Sequence, residues 1–257
     1  MIELSLIGIG TGNPDHLTRE AIRAMNRADL ILLPRKGEAK SDLIDLRRAI
    51  CAEVLTGDTR VVEFDMPARE ATPPYLDAVR DWHDAIAAIW SARIAEHLPQ
   101  GGRLALLVWG DPSLYDSTLR IAGRLGAGGM PLHVRVVPGI TSMQMLTAAH
   151  AIPLNRLAES VLVTTGRLLA ERGWPADASS VVAMLDGKCA FRTLPPEGLH
   201  IWWGAYLGMA AQTLYSGPLA EAGPRIVEAR AALRRDHGWI MDIYLLRRSA
   251  PSAWDSA

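Results

Sequence analysis

The segment Leu4–Asp15, LSLIGIGTGNPD, constrains this chain more than any other. An apolar run of strand character ends in glycines at positions 8, 10 and 12. Asn13-Pro14-Asp15 follows, and then Thr18, a residue suited to capping a helix. Glycine permits positive φ and lets another group approach the main chain. A strand that runs into such a turn therefore reads as the ligand edge of a parallel sheet. The spacing is G-x-G-x-G, whereas the dinucleotide fingerprint is G-x-G-x-x-G with an acidic residue closing the second strand. Here the second apolar run, Leu30–Leu33, closes in Pro34-Arg35-Lys36, and Asp29 stands before it. A nicotinamide-dependent oxidoreductase is disfavoured on both counts.

Short apolar runs alternate with helical stretches through the first half, the pattern of an α/β parallel sheet. Strands are expected at Leu4–Ile7, Leu30–Leu33, Val61–Phe64, Leu104–Val108 and Val134–Val137. After Pro73-Pro74 the residues Leu76, Val79, His83, Ile86, Trp90 and Ile94 recur at helical spacing, which predicts a helix packed on that sheet. Val137-Pro138-Gly139 interrupts the pattern. Beyond it, runs at Val161–Thr164, Val181–Leu185, Leu199–Trp203, Ala211–Tyr215 and Trp239–Leu246, with a helix at Ala220–Arg235, suggest a mixed sheet. The expectation is two α/β domains, 1–137 with a parallel sheet and 138–257 with a mixed one.

Composition narrows the class of partner. The formal net charge of −1 implies no general field for nucleic acid or membranes, and no apolar run approaches the length of a membrane span. Two cysteines, Cys51 and Cys189, are too few for a disulfide framework or a structural zinc site, so no metal is expected and a reduced, cytoplasmic setting is.

Four further segments give the glycine loop its specificity. They are Val108-Trp-Gly-Asp-Pro-Ser-Leu-Tyr115, Val137-Pro-Gly-Ile-Thr-Ser142, His150-Ala-Ile-Pro-Leu-Asn155 and Val182-Ala-Met-Leu-Asp186. In this order the chain resembles the tetrapyrrole (precorrin and uroporphyrinogen) methyltransferase family from residue 2 to about 246. Gly8–Pro14 matches the family's G-x-G-P-G-D-P turn, and Trp109–Pro112 its G-G-D-P loop. Val137–Ser142 matches its V-P-G-I-[TS]-[SA] loop, with the I-P-L that follows. Thr11, Asn13 and Trp109 depart from the pattern, but all three keep their backbone N–H. Met184–Phe191, Trp202–Gly208 and Ser216–Leu219 point to the branch that methylates at C1 with loss of an acetyl group.

The resemblance implies S-adenosylmethionine in a cleft between the domains, with S-adenosylhomocysteine as product. Its site residues carry over to Thr11, Trp109, Gly110, Asp111, Leu114, Thr141, Ser142, Met184, Leu185 and Leu207. Asp111 can also simply open a turn, Thr141 and Ser142 can serve only as a helix cap, and Met184 taken alone reads as core. Trp202 and Trp203 alternate along a strand, so at most one can face the cleft. The implied substrate is precorrin-5, whose acetyl group leaves as acetate. That step needs a base and an oxyanion donor, for which Asp186 and Tyr115 are the candidates, ahead of His83 and His150. Arg35, Lys36, Lys40 and Arg69 are placed to meet the substrate's carboxylates. A homodimer is expected from the family. The alternatives are a precorrin C-methyltransferase acting at C11 or C17 without deacylation, and a non-catalytic carrier of corrinoid intermediates.

Overall fold

The first apolar run becomes β1 (Ile2–Gly8), and its neighbours on both sides leave Leu4, Leu6 and Ile7 fully buried. In the computed structural model, which describes residues 1–35, 41–68 and 75–248, β1 pairs in parallel with β4 (Gly102–Val108) and with β5 (Leu132–Val137). β2 (Leu30–Arg35) and β3 (Arg60–Asp65) extend the sheet, giving the order β3-β2-β4-β1-β5, all parallel. Helices α1 (Arg19–Arg27), α2 (Ser41–Val54), α3 (Tyr75–His97) and α4 (Thr118–Ala127) lie between the strands in sequence.

Side chains alternate faces along each strand, and both faces are covered. Leu4, Leu6, Leu104 and Leu106 pack under Ile86, Trp90 and Ile94 of α3 and Ile121 and Leu125 of α4. Ile7, Ile31, Leu33 and Leu107 pack on the other face with Ala21 and Met25 of α1 and Ile44 and Ile50 of α2. The expected helix after Pro73-Pro74 is α3, and His83, Ile86, Trp90 and Ile94 of its stripe are all buried. β1 and β4 are adjacent, yet the helices that follow them sit on opposite faces. This is the topological switch point of the sheet, where a crevice opens at the carboxyl ends of the strands.

The second unit is built on a mixed sheet of order β6-β7-β10-β8-β9. Its strands are β6 (Val161–Thr165), β7 (Ser180–Met184), β8 (Leu199–Ala205), β9 (Thr213–Pro218) and β10 (Asp242–Arg248). Its helices are α5 (Ser142–His150), α6 (Gly166–Arg172) and α7 (Leu219–His237). β6 and β7 are parallel, and the other pairs are antiparallel. The chain divides into its two compact units after Thr141.

Two strands begin later than the hydrophobic pattern predicts. β9 starts at Thr213 instead of Ala211 because Met209–Gln212 closes a turn, with Gln212 N donating to Met209 O at 3.0 Å. β10 starts at Asp242 instead of Trp239 because the buried Trp239 packs against Tyr206, whose hydroxyl donates to the Trp239 carbonyl. In both cases apolar residues serve a turn beside the strand, which hydrophobicity alone does not distinguish.

Candidate active site

Three loops meet at the carboxyl end of the parallel sheet, and glycines let them meet. The loops after β1 and β4 form an antiparallel bridge at Gly10 and Gly110, with Gly110 N donating to Gly10 O at 2.8 Å. Beside it Gly8 touches the loop after β5. A Cβ on Gly8 would lie 2.6 Å from Gly139 N and 2.7 Å from Gly110 O, and both of those atoms are main chain. No side chain fits there.

Asp111 fastens this junction. Its Oδ2 accepts from Gly139 N at 2.9 Å, and its Oδ1 accepts from Ser113 N at 2.8 Å and from the Ser113 hydroxyl. Burial pushes the carboxyl up, but the hydrogen bonds from Ser113 and Gly139 outweigh it and hold the group below the usual aspartate range. Its side chain thus joins two loops, as the turn reading anticipated, and leaves the main chain to meet a ligand.

Most of the expected site residues nearby belong to the first unit, and Ser142 is the first residue of the second. Thr11 is 4% exposed, and among the described residues its hydroxyl has no hydrogen-bond partner. An unpaired buried hydroxyl costs roughly 1–3 kcal/mol, which a ligand acceptor or donor would recover. Thr141 is buried beside Gly110, 3.9 Å from where a Cβ would stand, and it immediately precedes α5. Leu114 donates its N–H to Asp111 O, and Ser142 opens α5 half-buried. Trp109 turns its indole onto the core beneath α1 and α2. Tyr115 has φ +48° and is 43% exposed, and burial of the phenol raises its pKa, so it is protonated at neutral pH.

The second unit gathers a different set. β7 and β8 both run antiparallel to the strand between them, so their carboxyl ends share one end of the mixed sheet. Met184 ends β7 and packs on the cluster of Leu146, Trp202 and Leu207. Leu185 follows with φ +53° and 66% exposure, a strained and solvent-facing leucine. Tyr206 has φ +49°, and it places Leu207 against Gly204 in the core. Each unit by itself offers features that suit S-adenosylmethionine: the first an unsatisfied buried hydroxyl at Thr11, the second an apolar wall at Met184 and an exposed Leu185.

Other expected site residues have different roles. Asp186 is 6% exposed, and its carboxylate accepts from Lys188 N at 2.9 Å, Ala190 N at 2.6 Å and the Tyr244 hydroxyl at 2.7 Å. These three donors tie the residue expected as the base into the turn after β7. Arg35 is likewise committed: it faces Asp65 across the β2–β3 register, with Nε 2.6 Å from Oδ1 and Nη2 2.8 Å from Oδ2. Lys36, Lys40 and Arg69 lie outside the described residues. Both Trp202 and Trp203 are buried, the latter donating its indole N–H to Asp242 at 2.9 Å. His150 bonds the Trp203 carbonyl at 3.0 Å, and burial lowers its pKa despite that bond.

One residue of interest escaped the sequence reading. Arg47 of α2 donates from Nε to Leu107 O at 3.2 Å and from Nη1 to Leu43 O at 3.0 Å, at the carboxyl end of β4. Its guanidinium carbon stands 6.0 Å from the Trp109 ring centroid. A signal was present: Arg47 lies three residues after Ile44 and four before Cys51, on the buried stripe of α2.

Comparison with known proteins agrees with this architecture. The family model for tetrapyrrole (corrin/porphyrin) methylases matches residues 3–223. A precorrin-6A synthase [deacetylating] from Sinorhizobium sp is 47% identical over 97% of this chain and 97% of its own. A putative cobalamin synthesis related protein from Corynebacterium diphtheriae is 40% identical, covers 97% of this chain and 100% of its own, and superposes with a TM-score of 0.84. Uroporphyrin-III C-methyl transferase from Thermus thermophilus, in complex with S-adenyl homocysteine, shares the fold at 18% identity. Its TM-score is 0.60, over 95% of this chain and 97% of its own.

Proposed function

The chain belongs to the tetrapyrrole (corrin/porphyrin) methylases, and from that premise we propose that it is an S-adenosylmethionine-dependent C1-methyltransferase. It converts precorrin-5 to precorrin-6A and releases the C1 acetyl group as acetate. The observation that carries this reading is the 47% identity, spread over 97% of both chains, to an enzyme named for that deacetylating synthesis.

S-adenosylmethionine, when bound, supplies an electrophilic methyl group. The chain's residues bind and orient. The first unit presents the tetrapyrrole and glycine-loop side of the site: Thr11 through its hydroxyl, Trp109, Gly110, Asp111 and Leu114 through their main chain, and Thr141, with Ser142 following as the first residue of the second unit and of α5. The second unit supplies Met184, Leu185 and Leu207 for the adenine side. Holding the reacting carbons in line is worth up to ~7–11 kcal/mol of the barrier. In deacetylation the oxygen of water bonds to the acetyl carbonyl carbon, its protons pass to solvent as acetate forms, and the bond from that carbon to C1 breaks. Its electron pair passes to the ring system, which leaves C1 nucleophilic. Tyr115, protonated at neutral pH, is the donor to the acetyl oxygen.

We place the enzyme in the cytoplasm as a homodimer, on the family resemblance. Among the described residues no helix is long and apolar enough to cross a membrane, and Cys51 and Cys189 are buried free thiols. Turnover of precorrin-5 with methyl-labelled cofactor, followed by mass spectrometry, tests the function: one labelled methyl gained and one acetate released per product are expected. Methylation without acetate would instead make it a C11 or C17 enzyme, and binding without transfer a carrier.

A further inference from the structure

We propose that Arg47 anchors a carboxylate of the tetrapyrrole substrate at the carboxyl end of β4. The inference rests on the functional reading above for the identity of the substrate and on the geometry of α2 for the residue. A guanidinium carries five N–H donors. Two of those of Arg47 go to the carbonyls of Leu107 and Leu43, and none goes to a carboxylate among the described residues. The next residue behaves in the opposite way. Arg48 forks onto Glu63 at 2.7 and 2.8 Å and reaches Asp45 at 2.6 Å.

Arginines set into the protein ordinarily bring a counter-ion with them, because desolvating a lone charge is expensive. Arg47 lies on the buried stripe of α2, and burial pushes its guanidinium down to about 10, with Asp116 opposing that shift only in part. Asp116 is not an ion-pair partner. Its Oδ1 accepts from Thr118 N at 2.6 Å, capping the start of α4. The Trp109 ring and the two carbonyls fix the plane of the Arg47 fork, while the side chain stays partly open to solvent. A desolvated, oriented and accessible cation with no counter-ion among the described residues suits a planar anion that binds bidentately. It stands at the β4 end of the switch-point crevice, next to the Trp109–Tyr115 loop. The acetate and propionate arms of a precorrin are such anions. Arg47 therefore takes the role that the sequence assigned to Arg35, whose own fork is closed by Asp65.

The test compares Arg47→Met and Arg47→Lys with Arg48→Met. For each variant, KM and kcat for precorrin-5 are measured, together with the S-adenosylhomocysteine Kd by calorimetry. Fluorescence binding of uroporphyrin, a stable polycarboxylate tetrapyrrole, is compared with binding of its methyl ester. Arg47→Met should raise KM at least about tenfold, the loss of a charge-assisted hydrogen bond. It should abolish the preference for uroporphyrin over the ester and leave the S-adenosylhomocysteine Kd within about twofold, since only the tetrapyrrole contact is removed. Arg47→Lys should fall between, and Arg48→Met should match wild type. An unchanged KM, or equal losses of tetrapyrrole and S-adenosylhomocysteine binding, overturns the assignment. If Arg47→Met fails to fold, Arg47→Lys decides on the same readouts. Absence of methyl transfer by wild type would sink the functional reading instead, and the uroporphyrin arm would still test Arg47.

Discussion

The ends of β4 and β7 each lead into a turn with a buried aspartate, Asp111 and Asp186, and the two are built from different materials. At β4 the surroundings are main chain. Gly8, Gly110 and Gly139 meet through their backbones, and Asp111 draws the loops together through Gly139 N. At β7 side chains join the main chain, with Lys188 N and Ala190 N donating to the Asp186 carboxylate beside a buried phenol. Asp186 is enclosed by the Tyr244 hydroxyl and packs on Gly166, while Arg230 donates to its carbonyl at 2.8 Å. Main-chain walls cannot shift without moving whole strands, whereas side-chain walls can repack. The first unit thus offers a stiff ligand edge, and the second an apolar one, with Leu185 exposed beside a sealed polar core.

The sharpest way to break this comparison is to add one methyl group to each unit. Gly8→Ala would drive a Cβ against the backbone of Gly139 and Gly110. It should destabilise the protein by at least about 3 kcal/mol, the upper end for overpacking, and weaken S-adenosylhomocysteine binding more than tenfold by calorimetry. Gly204→Ala would meet mainly the Leu207 and Leu146 side-chain ends. It should cost about 1 kcal/mol. Equal effects in thermal unfolding would erase the distinction.

A smaller effect is expected at Asp186. Asp186→Asn puts an amide nitrogen either where Lys188 N now donates or where Ala190 N and the Tyr244 hydroxyl both donate, and should cost about 1–3 kcal/mol in denaturant unfolding. Per folded molecule, acetate release should stay near wild type. A complete loss of acetate release in a folded Asp186→Asn enzyme would instead identify Asp186 as the base.

The smallest effect is the order in which the α5–β8 region and the glycine junction respond to acid. Burial lowers the pKa of His150 and of His200, so the unfolded chain takes up protons first. Their contribution is fully present above the unfolded histidine value of about 6.5 and is lost as pH falls through the lower folded values. The carboxyl of Asp111 is held below its unfolded value of about 3.9, so its contribution persists to more acid pH and fails only as pH falls through that lower value. Hydrogen exchange should therefore show α5 and β8 loosening at a higher pH than the Gly8–Gly139 junction. The reverse order would contradict the comparison.

Much of this was legible in the sequence, and the reasons differ by residue. The parallel strands could be read because both faces are covered, which makes their runs apolar. The glycine junction could be read because no other residue fits those positions. The bounds of β9 and β10 could not, since Ala211 and Trp239 are apolar residues used in turns. Asp186 and Arg35 look more open in the sequence than in the fold for a shared reason: a charged residue at a strand end looks available until its partner is known. Tyr244 lies 58 residues from Asp186, and Asp65 lies 30 from Arg35.

By itself the sequence determined the two α/β units, the glycine-lined loops and the family chemistry they serve. Those properties reside in local periodicity and in backbone positions that admit one residue type. Only the tertiary structure decided which charges are spent and which are available. It closed Asp111, Asp186 and Arg35 with partners brought from distant strands and left Arg47 on a buried stripe with no carboxylate among the described residues. The physical reason is that a charge's availability depends on its neighbours in space, and the fold assembles those neighbours.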